Sequence, residues 1–348
     1  MHKTLLLTIV FISMVFSDLY SQSIYNNIFS DRIANYDINV ELDPETKILT
    51  GNIILEWTNS SSDSISELQF HMYLNAFKNN KSTFLKESGN YLNGFNFIDI
   101  ENMWGWIDII SLKVIEGELL TSKIEYIQPD DNNIDDQTVI SVQLSEAIRA
   151  GETIKLEIDY IAKLPQIIAR SGYADDYFFV GQWFPKIGVL ESKGMRNVEK
   201  TQWNCHQYHA QSEFYADFGV YKVNITLPDN YIVGATGLLF ERKDNNDGTK
   251  SHYYIAEDII DFAWAASPHF IEYEKVSNGK IIKALIQPEH ADLANRHLNA
   301  AIIALNYFED NLGEYPYPNL TIIDPPFKGM ASGGMEYPTL ITTFSFAY

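Results

Sequence analysis

Cysteine is nearly absent: Cys205 is the single thiol in 348 residues. No intrachain disulfide can form, so an exported form of the chain must fold without one. Positive charge is scarce as well, with 25 Lys and Arg against 46 Asp and Glu, a net charge of −21. So acidic a chain repels a phosphate backbone, which excludes nucleic acid as the expected partner. The same charge suits cationic peptide amino termini, and it also serves plain solubility. No internal repeat or low-complexity tract is present, and no apolar run reaches the length of a transmembrane helix. Among the 8 histidines none is followed by glutamate. The His-Glu-x-x-His helix that clamps a catalytic zinc is therefore not encoded in these residues.

Aromatic residues are plentiful, 21 Tyr and 20 Phe, which suits β-rich packing, and the length allows two domains. Residues 1–21 have the parts of a secretory signal peptide: His2 and Lys3, an apolar run over 5–16, then small residues. Cleavage falls after Ser17 or near residues 21–23, and no cysteine follows that could carry a lipid. The expected location is secreted or periplasmic, with no membrane span once the signal is removed.

After the leader, Tyr36, Ile38, Val40 and Leu42 alternate with polar residues, as do Ile53, Leu55 and Trp57, the pattern of half-buried strands. Residues 68–74 alternate again, with His71 on the polar side in a structural or exposed role. Residues 75–105 read as a long loop. Strands resume near 107–115, 138–144 and 153–161, where Ile154, Leu156, Ile158 and Tyr160 share a face. The acidic turn after Pro129 matches no calcium loop. His206 and His209 with Glu213 have ligand chemistry, but not the pattern of an established site. Asn278-Gly279 is the strongest hairpin signal. From Pro288 the period becomes helical through Ala294, Leu298, Ala301, Ile302 and Leu305, and Gly313 ends it. His290 and His297 lie seven apart on that segment, too far for a zinc clamp. The change of period sets a domain boundary near 284–287.

The stretch Gly333-Gly334-Met335-Glu336-Tyr337-Pro338-Thr339-Leu340-Ile341-Thr342-Thr343 pairs a glycine step with a carboxylate and a β-branched run. Glycines permit close approach of another chain, the run is a strand, and the carboxylate offers charge at one end of it. A glycine turn before an edge strand with a solvated glutamate explains the same residues.

Gly333-Gly334-Met335-Glu336 resembles the Gly-x-Met-Glu-Asn motif of the aminopeptidase N family of zinc metallopeptidases, with Tyr337 in place of the asparagine. Gly181-Gln182-Trp183-Phe184-Pro185, residues 213–221, Val233-Gly234-Ala235-Thr236-Gly237 and residues 261–268 resemble the same family, in its order. The resemblance implies a mainly β chain: a signal peptide over 1–21 and a saddle-like β-sandwich over 22–286. The truncated start of a thermolysin-like α/β catalytic domain would follow over 287–348. It also implies that Gly333, Gly334 and Met335 bind the main chain of a peptide substrate, and that Glu336 holds its free α-ammonium group, as a buried carboxylate once a completed enzyme has bound substrate. Asp176 falls roughly where the family supplies a second grip on that amine. Zinc is implied for a complete enzyme. No catalytic residue and no metal ligand is assigned to this chain, which alone is expected to be inactive. The rival reading is a non-catalytic secreted module that binds peptide or polysaccharide.

Overall fold

The computed structural model describes residues 28–92, backbone only over 90–92, and 103–345. The expected signal peptide lies outside the described residues. The protein is mainly β, as expected. Its largest sheet has seven strands in the spatial order Leu238–Asp244, Thr249–Ile259, Gly219–Pro228, Ala34–Asp43, Ile48–Thr58, Thr153–Lys163 and Trp106–Val114. Ala34–Asp43 runs parallel to Gly219–Pro228, while its other neighbour, Ile48–Thr58, is antiparallel. Alternation along Ala34–Asp43 is strict: Tyr36, Ile38, Val40 and Leu42 are buried and the residues between them are not. The buried face shares one core with Leu68, Phe70, Ile140 and Val142 of a second sheet, made of Lys186–Ile187, Ile65–His71, Val139–Ile148 and Ile124–Tyr126. Each large side chain fully buried there contributes about 1.5–3 kcal/mol of transfer free energy.

A third, four-stranded sheet of Ile232–Ala235, Trp264–Ser267, Tyr177–Val180 and Gly172–Ala174 lies between two cores. Phe178, Val180, Trp264 and Ala266 face the first core, whereas Tyr177, Phe179 and Ala265 face a second one containing Leu285, Ile323, Met335 and Leu340. A strand covered on both faces has no polar side, so all four residues of Tyr177–Val180 are buried and its sequence does not alternate. Beyond it lies a five-stranded sheet, Ile271–Ser277, Lys280–Ile286, Asn319–Ile323, Leu340–Thr342 and Glu336–Tyr337. Helix Ala294–Leu312 links two parallel strands of this sheet and covers its far face with Ala294, Leu298 and Ala301. Gly313 closes the helix at φ 116. Among the described residues no helix is long and apolar enough to cross a membrane.

Two expectations change. The stretch 75–105 is not a long loop throughout: it holds a 3-10 turn over Tyr73–Phe77 and the kinked helix Thr83–Leu92, with 93–102 outside the described residues. The single-face periodicity of that helix is interrupted by Gly89, at φ 38. His71 is fully buried and stacked on Tyr73 at 4.5 Å. Burial first, then the nearby His206 and Lys186, pushes its imidazole well below the usual range, so it stays neutral. Ile271–Ser277 and Lys280–Ile286, which precede the change of period near residue 287, share a sheet with Leu340–Thr342, which follows it.

Asp217 gives this fold a pH dependence. Burial raises its carboxyl to about 6. A carboxyl raised in the folded state is most favourable below its unfolded value, and that contribution is lost as pH rises through about 6. Asp217→Asn should therefore raise the thermal midpoint at pH 7.5, with a much smaller gain at pH 4, as scanning calorimetry at the two pH values would read. Equal shifts at both would contradict the assignment.

Candidate functional site

The glycine–glutamate stretch forms the outer rim of the five-stranded sheet. Glu336–Tyr337 is its last strand, paired antiparallel with Leu340–Thr342, and among the described residues no strand lies beyond it. Gly334 stands at φ 74, a left-handed conformation that suits glycine, and its N–H donates to the Thr342 carbonyl at 3.1 Å. Thr342 returns a bond to the Met335 carbonyl at 2.9 Å, and its hydroxyl accepts the Met335 N–H at 2.8 Å. The carbonyls of Gly333 and Gly334 receive no donor among the described residues. A Cβ on Gly333 would lie 2.3 Å from the Phe344 ring, so that glycine answers to an aromatic neighbour within the chain.

Side chains alternate along this rim. Met335 and Tyr337 turn into the core between sheets, at 6% exposure each, and Glu336 between them turns out to solvent. Met335 therefore offers main chain to the surface and not its side chain. Glu336 is exposed, and it makes no ion pair among the described residues.

Contacts from several elements fasten the rim to the sandwich. The Thr339 hydroxyl accepts the Gly237 N–H at 2.6 Å, with Thr339 itself at φ 58. A β-branched residue in that region is strained, and the bond to Gly237 is what the strain secures. The Tyr177 and Ser332 hydroxyls share a hydrogen bond of 2.8 Å. Lys328 pairs with Asp175 at 2.8 Å across the surface. The Tyr337 ring lies 6.0 Å from Phe179 and its hydroxyl reaches Gly181. Beneath them sits a buried polar group absent from the sequence reading: Lys186 pairs with Asp261 at 2.6 Å, and the Gln182 side chain donates to Asp261 and accepts from Lys186. Burial lowers the Lys186 pKa against the pull of Asp261. The stretches around 181–185, 233–237 and 261–268 thus converge on the motif strand. No local periodicity announces the Lys186, Asp261 and Gln182 group, because Asp261 lies 79 residues from Gln182 and reaches it only through the fold.

Gly333 also lines a cavity of about 540 Å³, whose wall includes Arg170, Tyr208, His209, Glu87 and Phe344. Its size falls in the range of small-ligand sites. Arg170 faces Glu213 at 3.2 Å, and its N–H ties the turn at 168–171 to the Ala331 carbonyl. For His209, burial opposes the charged form, but the hydrogen bonds it donates to Glu87 and Asp130 outweigh it and raise the imidazole above its ordinary value. Asp176 is not brought to this cavity. It is exposed in the turn after Gly172–Ala174 and borders a separate hollow of about 330 Å³ with Gln287 and Glu289.

The residues present do not fit a zinc site. Among those described, no three His, Cys, Asp or Glu side chains converge. His206, His209 and Glu213 have separate partners: the Gln207 carbonyl, Glu87 with Asp130, and Arg170. Near the motif, His290 is engaged by Asp324 at 2.6 Å and His297 by Ser345 at 2.8 Å.

No protein-family model and no curated protein matches the sequence. Solved structures do. The M1 zinc metallopeptidase from Deinococcus radiodurans aligns with TM-score 0.52 at 12% identity over 93% of this chain. A mutant of that enzyme aligns with TM-score 0.54 at 13% identity over the same share. The fold is shared. The chain spans 64% of the length of these metallopeptidases. At such identity the likeness speaks for fold alone, and it agrees at that level with the aminopeptidase N resemblance.

Proposed function

We propose that the chain is the amino-terminal part of a secreted or periplasmic zinc aminopeptidase that removes amino-terminal residues from peptides. In this reading an extended peptide adds to the free edge of Glu336–Tyr337, taking the Gly333 and Gly334 carbonyls as acceptors, and Glu336 holds its α-ammonium group. A contact that demands a free amino group confines such an enzyme to chain ends. The observation that carries the reading is the outer strand itself: a carboxylate without an ion pair among the described residues stands next to two carbonyls without donors. The shared fold, the adjoining cavity and the net charge of −21 support it. Zinc would be held by residues other than these, and bond cleavage is not assigned to this chain. Asp176 remains a candidate second grip only for a peptide that reaches the neighbouring hollow.

The test is an NMR titration of the chain with a tripeptide amide and its N-acetylated form. The free-amine peptide should shift the Gly334 and Glu336 amides, and the acetylated one should shift them several-fold less. Equal binding of both removes the reading. A second expectation concerns the metal: after dialysis, elemental analysis should find far below one zinc per chain. One tightly held zinc would contradict the account and return attention to His206, His209 and Glu213.

A further inference from the structure

We infer that Tyr337 is a positioning residue that bolts the strand carrying Glu336 to the loop at Gly181 and Gln182, its hydroxyl oxygen taking an N–H of the Gln182 carboxamide. The inference rests on the reading of Glu336 as the amine-holding group and adds what holds that carboxylate in place. Tyr337 follows Glu336, so the strand's period of two points the two side chains to opposite faces. Whatever fixes the tyrosine therefore fixes the direction of the carboxylate.

The tyrosine is seated closely. A Cβ at Gly181 would lie 2.4 Å from the Tyr337 hydroxyl and 3.2 Å from its ring carbon Cζ, so a residue without a side chain is needed opposite it. The hydroxyl is buried and lacks a hydrogen bond of standard geometry among the described residues. The Gln182 side chain faces it. Gln182 is held with φ 53 and has two N–H donors, of which one serves Asp261. The second is the natural partner for the tyrosine oxygen. A phenylalanine would fill the same space without a buried oxygen, and an unpaired buried oxygen is costly. Packing alone thus does not call for the hydroxyl, whereas aiming the strand does.

The full chain is compared with Tyr337→Phe, Gly181→Ala and the double variant. Three quantities are read: the thermal midpoint, hydrogen exchange at the Gly334 and Thr342 amides, and the preference for a free-amine over an N-acetylated tripeptide amide. Those amides bond to the Thr342 and Met335 carbonyls at 3.1 Å and 2.9 Å, so they report on the rim itself. Tyr337→Phe should leave the midpoint unchanged or higher, while exchange at both amides quickens about ten-fold and the few-fold free-amine preference is largely lost. Gly181→Ala should loosen the same amides. The double variant should be milder than Gly181→Ala alone, since the oxygen that the new methyl meets at 2.4 Å is gone and only the Arg170 carbonyl at 3.0 Å and the ring carbon at 3.2 Å remain. Unchanged exchange in Tyr337→Phe overturns the inference. So does a fall of its midpoint in step with its preference, which would mark ordinary packing. If the unaltered chain shows no free-amine preference and Tyr337→Phe still quickens exchange, the amine reading of Glu336 fails and the positioning role of Tyr337 stands.

Discussion

Asp261→Ala should lower the unfolding free energy by about 3–5 kcal/mol, the usual cost of stranding one member of a buried ion pair. Lys186 and Asp261 have side-chain exposures of 2% and 7%, at a separation of 2.6 Å. Removing the carboxylate leaves Lys186 to lose its proton or draw in water, and it also deprives Gln182 and the Phe262 N–H of their acceptor. Distance alone does not set this size. Asp175 and Lys328 are 2.8 Å apart, but each side chain is 71% exposed. Asp175→Ala should therefore change stability by less than about 1 kcal/mol. Urea unfolding of both variants reads the contrast. A loss below about 1 kcal/mol for Asp261→Ala would show that Lys186 carries no stranded charge. Replacing the pair together, as Lys186→Met with Asp261→Leu, should recover part of the loss, because two buried charges also bear a desolvation penalty.

Glu336→Ala should cut the use of free-amine substrates, and the size depends on how much water the complex excludes. In this chain Glu336 is exposed, so its contact with an ammonium group is that of a surface pair, worth about 0.2–1 kcal/mol. The expected loss of binding is then only a few-fold. In a peptide-cleaving form, where the bound peptide shields the carboxylate, a hydrogen bond between charged groups is worth about 1.5–3 kcal/mol. There kcat/KM should fall about ten- to a hundred-fold. Glu336→Gln should lie between, keeping an acceptor without its charge. An equal fall for an N-blocked substrate would mean that Glu336 supports the strand and not the amine.

Much of the sandwich was legible because its strands are buried on one face only. Tyr36, Ile38, Val40 and Leu42, or Leu156, Ile158 and Tyr160, show the period of two directly. Asn278-Gly279 marks its hairpin because both residues adopt positive φ, 49 and 75. The shared central sheet was not legible: Tyr177–Val180 and Trp264–Ser267 are buried throughout, so alternation vanishes where two cores meet. Residue 287 separates a strand pattern from a helix pattern, but pairing between distant strands carries the sheet across it. The motif strand could be found from its own residues and from resemblance. Its supports at Thr339, Gln182, Lys186 and Asp261 could not, since each depends on a partner brought close only by folding. Asp176, placed by rough correspondence, borders a different hollow.

The most direct measurement is a crystal structure of the chain with a tripeptide amide. The account predicts the peptide extended along the outer edge of Glu336–Tyr337, its α-ammonium nitrogen about 3 Å from the Glu336 carboxylate. Its main-chain N–H groups should meet the Gly333 and Gly334 carbonyls. A peptide that leaves this edge bare, or lies on it with its ammonium group turned to solvent, would contradict the account.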